Sequence, residues 1–308
     1  MEDTAERASQ TPLTPAGTDG SVHASSALEW GAARLRAVTE RPYAEAERLL
    51  AAILQVTRTM LLAHPEIGVR QAQARVYADA VRRRAAGVPL PYILGQASFF
   101  GLDFVVTPDV LIPRPETEHL VEQALAWIAD RPVEGITVVD VGTGSGCIAI
   151  ALTATMPNLR VTATDLSAPA LAVARINGLR HRVDQQIAWV QADLLTPIVG
   201  PCDLIVSNPP YVAEPEWPDL PLSVRREPHT ALLAGPEGLD VLRRLLSQAR
   251  SRMAPDSCML IEIGAGQGNA VRALAQAAFP TAAVKIRQDL AGRDRILDLR
   301  LSGPAHES

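Results

Sequence analysis

The sequence predicts an α/β protein: a mostly parallel sheet, a small helical bundle ahead of it and an antiparallel terminal hairpin. Three observations carry this. Five short apolar runs, "ITVVDVG" (136–142), "RVTATD" (160–165), "IAWVQAD" (187–193), "DLIVSN" (203–208) and "CMLIEIG" (258–264), are mostly separated by helix-like stretches, as in a parallel sheet with crossover helices. Ahead of them, apolar residues recur near the 3.6-residue period. At the end, "AVKIRQDL", "AGRDR" and "ILDLRL" read as two strands joined by a tight turn at a sheet edge.

Taken in order, residues 1–25 are polar, rich in Pro, Gly, Ser and Thr and without periodicity, which predicts a disordered tail. Residues 26–86 are expected to form a helical domain, with Leu28, Leu35, Val38, Leu49, Leu50, Ile53, Leu54, Val76, Ala80 and Val81 on its apolar stripes and breaks at Pro42 and Pro65. A connector over 87–113 follows. "GVPLP" punctuates it, and "FFGLDFVV" and "VLIP" read as two short β-runs with a turn between them. Residues 114–302 form the α/β domain, whose first helix opens at Pro115 with Glu116 and Glu118 at the positive end of its dipole.

The chain has 308 residues, 47% of them apolar, which suffices for two domains with a sizeable core. A formal net charge of -5 argues against gripping long nucleic acid through the overall field. The compact basic run Arg82, Arg83 and Arg84 reads as a solvated helix end or, more sharply, as a docking patch for an acidic partner. Cys147, Cys202 and Cys258 have no CxxC or histidine spacing and read as core thiols, so no metal site is expected. No apolar run approaches the roughly 20 residues of a membrane span and no secretory leader pattern opens the chain, which predicts a cytoplasmic protein.

"VVDVGTGSGCIAI" sets Gly142, Gly144 and Gly146, with Thr143 and Ser145 between them, after a strand and before a helix. Bare backbone and helix N–H groups there suit a close-approaching ligand. A dinucleotide fingerprint needs glycine where Cys147 stands, which disfavours that ligand. Asp165 ends the second strand, where a carboxylate can accept both hydroxyl hydrogens of a ribose. Asp193 ends the third, where it can meet an adenine amino group. "EIGAGQG" repeats the pattern at Glu262, Gly264, Gly266 and Gly268, but too little chain follows to build a cofactor pocket, so it reads as a turn.

"SNPPYV" stops an apolar strand at Asn208 and runs into two prolines and a tyrosine. Prolines donate no backbone hydrogen, so the loop is a rigid frame of acceptors. Asn208 Oδ1 and the Pro209 carbonyl can each accept one hydrogen of a planar NH2 group, with Tyr211 against its flat face. In a doubly wound sheet this loop faces the ligand at the glycine loop. An amide or aryl nitrogen is a poor nucleophile, so the chemistry needs a strong electrophile such as a methylsulfonium held in line, and the expected reaction is N-methylation.

Residues 27–300 resemble the bacterial release factor glutamine methyltransferases (the PrmC/HemK family), class I S-adenosylmethionine-dependent enzymes with a Rossmann-like sheet. "YILG", "FFGLDF", "LIPRPETEHLVE", "VDVGTGSGCIAIAL", "SNPPYV", "EPHTALLAGPEGLD", "IEIGAGQG" and "AGRDR" stand in that family's order. The resemblance implies N5-methylation of the glutamine in the Gly-Gly-Gln motif of class I peptide chain release factors, with the helical domain helping to recognise them. By position, Gly142, Thr143, Gly144, Ser145, Gly146 and Asp165 hold S-adenosylmethionine, Asp193 and Leu194 border its adenine, and Asn208 adjoins it. Asn208, Pro209, Pro210 and Tyr211 hold the glutamine, Asn208 and Pro209 acting as catalytic acceptors. Phe100 lines the acceptor pocket, and Arg114 with Glu116 shapes its rim. Pro91 and Ala192 depart from the usual pattern without touching the clamp.

Two other substrates share this clamp: a ribosomal-protein glutamine, and the exocyclic amine of a nucleic-acid base, which calls for a basic recognition surface. A module that binds the nucleoside without turnover has no use for an acceptor-lined clamp. His119 reads as a polar helix-face residue and His229 as a loop residue that either borders the acceptor or lies on the surface, and neither is expected to act as a base.

Overall fold

A computed structural model of the chain describes residues 21–133 and 135–302. The expected disordered tail falls outside the described residues up to position 20, but its last residues are ordered. Strand β1 (Val22–His23) pairs antiparallel with β2 (Gly68–Val69), and the first helix starts at Ala24. Val22 and Ala24 are buried, which holds this stretch down.

The chain divides into two compact units: the first ends at Gly95 and takes in Leu222–Arg226, and the second comprises Gln96–Pro221 and Glu227 onward. In the first unit, helices Ala24–Leu35, Pro42–Leu54, Arg58–Ala63, Gln71–Ala85 and Leu90–Leu94 enclose a core that includes Leu28, Leu35, Leu49, Leu50, Leu61, Tyr77 and Val81. Pro42 breaks nothing here. It is the first residue of its helix, where its missing N–H has no partner to lose. Gly31 sits inside a helix because a Cβ there would lie 2.1 Å from the Tyr77 hydroxyl.

The basic run is only partly solvated. Arg82 pairs with Asp79 at the surface, but Arg84 is buried, its Nε 2.6 Å and its Nη2 3.2 Å from the Glu45 carboxylate. The expected solvated cation is thus a structural ion pair joining two helices.

The second unit opens with the hairpin β3 (Gln96–Phe99) and β4 (Leu102–Val105). Its turn is Phe100–Gly101, with φ of +50° and +72°, a two-residue hairpin loop with positive φ at both positions. The turn therefore lies inside "FFGLDF", and "VLIP" is an irregular segment with Val110 and Ile112 buried rather than a second strand.

The main sheet contains β5 (Val138–Val141), β6 (Val161–Asp165), β7 (Ile187–Gln191), β8 (Cys202–Ser207), β9 (Met253–Glu262), β10 (Ala283–Gln288) and β11 (Asp294–Arg300), in the order β10-β11-β9-β8-β5-β6-β7. β5 to β9 pair in parallel, and β11 runs antiparallel to both β9 and β10. The α/β class, the five parallel strands and the edge hairpin are as the sequence predicts.

Alternation along the strands serves two cores. Val138, Leu204, Val206, Cys258 and Leu260 face helices Pro115–Ala129 and Cys147–Thr155. Val139, Ile205, Met259 and Ile261 face helices Asp240–Ala249 and Gly268–Ala278. Cys202 and Cys258 are buried, Cys147 is half-buried, and burial pushes all three thiols well above the ordinary range. Cys202 and Cys258 are core thiols, as expected, whereas Cys147 packs against the core from its edge and also lines a cavity.

Glu45→Ala removes the partner of buried Arg84 and is expected to destabilise the first unit by about 2 kcal/mol or more. Urea denaturation checks this, and a loss below about 0.5 kcal/mol, the scale of an exposed pair, would assign the ion pair no structural weight.

Candidate active site

Strand order reverses between β5 and β8: the chain runs from β5 outward through β6 and β7, then returns to β5's other side with β8. Val141 lies opposite Ser207 in parallel register, so the residues that follow, Gly142 and Asn208, leave the sheet side by side. Ser207 Oγ donates to the Val141 carbonyl at 2.7 Å and ties the two strand ends together. A cavity of about 390 Å3 opens at this end of the sheet.

One wall is the glycine loop. Gly142 and Gly144 have φ of +72° and +56° and open space where a Cβ would stand, so their backbone faces the cavity bare. Gly146 serves packing instead: a Cβ there would lie 3.0 Å from Ile150 and 3.2 Å from Ala174 and Trp189. Asp165 lines the cavity while its Oδ2 accepts the Gly144 N–H and its Oδ1 the Ser167 N–H, both at 2.8 Å. Burial raises its pKa, and these N–H donors pull it back. Beneath the loop, Asp140 Oδ2 accepts from the Thr143 hydroxyl at 2.6 Å and the Ala149 N–H at 3.2 Å. Burial pushes this carboxyl up to about 7.

Leu166 is 64% exposed and lines the cavity, an apolar surface available to a flat ring. Asp193 and Leu194 line it too. The Asp193 carboxylate is paired with Arg244, and Leu194 has a φ of +54°. Bare backbone, a carboxylate at a strand end and an open leucine are what a nucleoside-bearing ligand needs.

The opposite wall is the loop after β8. Asn208 and Pro210 line the cavity. Asn208 Nδ2 donates to Thr117 Oγ1 at 2.9 Å, and the Thr117 hydroxyl donates to Glu262 Oε2 at 2.7 Å. Glu262 is 1% exposed, its Oε1 has no hydrogen-bond partner among the described residues, and burial pushes its pKa up to about 7. The Tyr211 hydroxyl is pushed up to about 12 by burial and then by Glu262, so it stays protonated.

The second glycine loop, read from sequence as a turn, contributes no residue to the cavity. It braces the opposite wall, the loop after β8: Gln267 Oε1 accepts the Gly264 N–H at 2.9 Å, while Gln267 Nε2 donates to the carbonyls of Tyr211 at 3.0 Å and Gly238 at 3.2 Å.

Arg114 lines the cavity and its Nη2 lies 2.5 Å from Glu227 Oε1, with the Ile112 N–H donating to Glu227 Oε2 at 3.0 Å. This pair fastens the segment that brings Pro228, Thr230 and Ala231 to the cavity.

Of the residues singled out from sequence, the structure gathers Arg114, Gly142, Thr143, Gly144, Ser145, Asp165, Asp193, Leu194, Asn208 and Pro210 around one cavity. Gly146, Pro209 and Tyr211 adjoin it in sequence without lining it. Phe100 and Glu116 do not line it. Phe100 is held in the hairpin turn, its N–H donating to Glu118 Oε1 at 2.8 Å, and Glu116 is exposed on the first turn of its helix. His119 sits beside Glu122, and His229 packs edge-on against Trp217. Sequence reasoning missed Thr117, Glu227, Leu166 and Arg244, and took Glu262 only as part of a turn. Glu262 carried a signal, an acid ending an apolar strand, but its partner Thr117 lies 145 positions away.

A family profile described as "PrmC N-terminal domain" matches residues 26–95, and one described as "Methyltransferase small domain" matches residues 122–219. A release factor glutamine methyltransferase of Moorella thermoacetica is 44% identical, covering 83% of this chain and 90% of its own. One from Nitratidesulfovibrio vulgaris is 41% identical over 86% of this chain and 90% of its own. Among solved structures, the hMettl16 catalytic domain shares the fold, with a TM-score of 0.52 at 18% identity over 84% of this chain and 92% of its own. The chain is a methyltransferase of the Rossmann-like α/β kind. Within that class it belongs to the release factor glutamine methyltransferase family.

Arg114→Ala strands the buried Glu227 carboxylate and is expected to destabilise the second unit by about 3 kcal/mol. Calorimetric unfolding reads this. A change under about 0.5 kcal/mol would show that the strap over the cavity is held by other contacts.

Proposed function

We propose that this enzyme transfers a methyl group from S-adenosylmethionine to the side-chain amide nitrogen, N5, of the glutamine in the Gly-Gly-Gln motif of class I peptide chain release factors. The observation that carries the reading is the adjacency of Gly142 and Asn208 at paired strand ends in one cavity, in a chain of this family. The cavity's residues fit the cofactor. Gly142 and Gly144 leave a bare cradle that a Cβ would fill, Asp165 offers a carboxylate to ribose hydroxyls, and Leu166 offers an apolar face to adenine. Thr143, Ser145 and Gly146 complete the loop, and Asp193 and Leu194 border the base.

When bound, the cofactor supplies a methylsulfonium whose methyl group leaves a neutral thioether behind. The protein does the rest by orientation. Asn208 Oδ1 and the Pro209 carbonyl accept the two hydrogens of the glutamine NH2, which fixes the nitrogen's approach and stabilises the positive charge developing on it. Pro210 and Tyr211 confine the amide plane. The proton lost from nitrogen leaves to solvent, and no residue of the loop need hold it. The first unit takes part in recognising the release factor, and the enzyme's setting is the cytoplasm, where translation terminates. Among the described residues no helix is long and apolar enough to cross a membrane.

Mass spectrometry of a class I release factor incubated with enzyme and S-adenosylmethionine is expected to show one added methyl on the Gly-Gly-Gln glutamine, absent when that glutamine is alanine. An unmodified factor beside demonstrated cofactor binding would contradict the proposal and redirect the search to ribosomal proteins and nucleic acids.

A further inference from the structure

The clamp works only if Asn208 turns its carbonyl edge to the acceptor. An asparagine amide has a donor edge and an acceptor edge of nearly the same shape, so packing alone does not choose between them. A donor edge toward the glutamine NH2 would set hydrogens against hydrogens.

The choice is made at Thr117, which itself lines the cavity beside Asn208. Thr117 is 2% exposed, and its hydroxyl has a single hydrogen, spent on Glu262 Oε2 at 2.7 Å. Toward Asn208 it therefore offers only lone pairs. The NH2 edge of Asn208 takes them at 2.9 Å, which leaves Oδ1 for the acceptor side. We propose that Thr117, polarised by Glu262, is a positioning residue that sets the Asn208 amide with its acceptor edge toward the substrate nitrogen.

This deepens the reading of the same site and rests on it. Neither Thr117 nor Glu262 touches the reacting atoms in this account. Both act through Asn208.

A consequence follows for pH. Ionised Glu262 can only accept, which fixes the direction of the chain. Protonated Glu262 can donate to Thr117, whose own hydrogen is then free to point at Asn208 and draw Oδ1 away from the substrate. Burial raises the pKa of Glu262 to about 7, so this reversal falls in an accessible range. The charged and titratable groups acting on Glu262 are Arg295 from β11, Arg114 and Glu116 from the start of the Pro115–Ala129 helix, Tyr211 after β8 and the Cys147 thiol at the start of the Cys147–Thr155 helix. Arg295 and Arg114 favour the ionised form, but burial outweighs them.

The test uses full-length enzyme, S-adenosylmethionine and a class I release factor, with single-turnover methyl transfer and cofactor affinity measured separately. Thr117→Val keeps the shape and removes the hydroxyl. It is expected to slow transfer about tenfold or more while cofactor Kd stays within about twofold, and Thr117→Ser is expected to restore the rate to within about threefold of wild type. The wild-type rate is expected to fall as pH drops below about 7, and Glu262→Gln, which cannot ionise, is expected to lose that fall. A Thr117→Val enzyme of undiminished rate, a serine variant no better than valine, or a Glu262→Gln profile that keeps the low-pH fall each overturns the inference. Wild-type enzyme that leaves the release factor unmethylated overturns instead the reading on which the inference rests.

Discussion

The site depends on one constraint: β8 pairs in parallel with β5 where the strand order reverses, with Ser207 opposite Val141. Side-chain direction alternates along a strand, so a one-residue slip of β8 would turn its side chains to the opposite faces and misplace Asn208 against the glycine loop. The register is fixed from both sides of the sheet, with Leu204 and Val206 in one core and Ile205 in the other. The Ser207 hydroxyl then ties the last pair together by bonding to Val141. Hydrophobic packing thus sets the spacing between the glycine loop and the loop after β8.

Around that junction the polar groups are held by elements distant in sequence. The second glycine loop copies the pattern of the first, yet its Gln267 is a brace that joins Tyr211 to Gly238 through one amide. Arg114 and Glu227 fasten a segment to the same cavity from 113 positions apart. Such bonds tie these segments to elements distant in sequence, and in the proposed reaction preorganised acceptors are what a weak nitrogen nucleophile needs. The buried carboxylates Asp140 and Glu262 are the cost of this arrangement. Each keeps one oxygen without a hydrogen-bond partner among the described residues.

The sheet was legible because each strand carries its own local signal, an apolar run ending in Gly, Asp or Asn. The glycine loop and "NPPY" were legible for the same reason: glycine and proline state their backbone geometry wherever they occur. The connector was misread because "VLIP" has the composition of a strand but buries Val110 and Ile112 without a pairing partner, while the turn used Phe100, a residue that seldom takes positive φ. Arg84 looked solvated because Glu45, which buries it, lies 39 positions earlier. The Thr117 and Glu262 relay was invisible for the same reason, since two polar residues far apart reveal their hydrogen bond only once the sheet has placed them.

The central claim is a division of labour in which the glycine loop holds the cofactor and Asn208 holds the acceptor nitrogen. The most direct test compares Asn208→Ala with wild type in two measurements, calorimetric affinity for S-adenosylmethionine and the single-turnover rate of methyl transfer to a release factor. The account predicts a rate lowered by roughly two to three orders of magnitude with cofactor affinity changed by less than about threefold. Equal losses in both would contradict it, because Asn208 would then belong to the cofactor site rather than to the acceptor clamp.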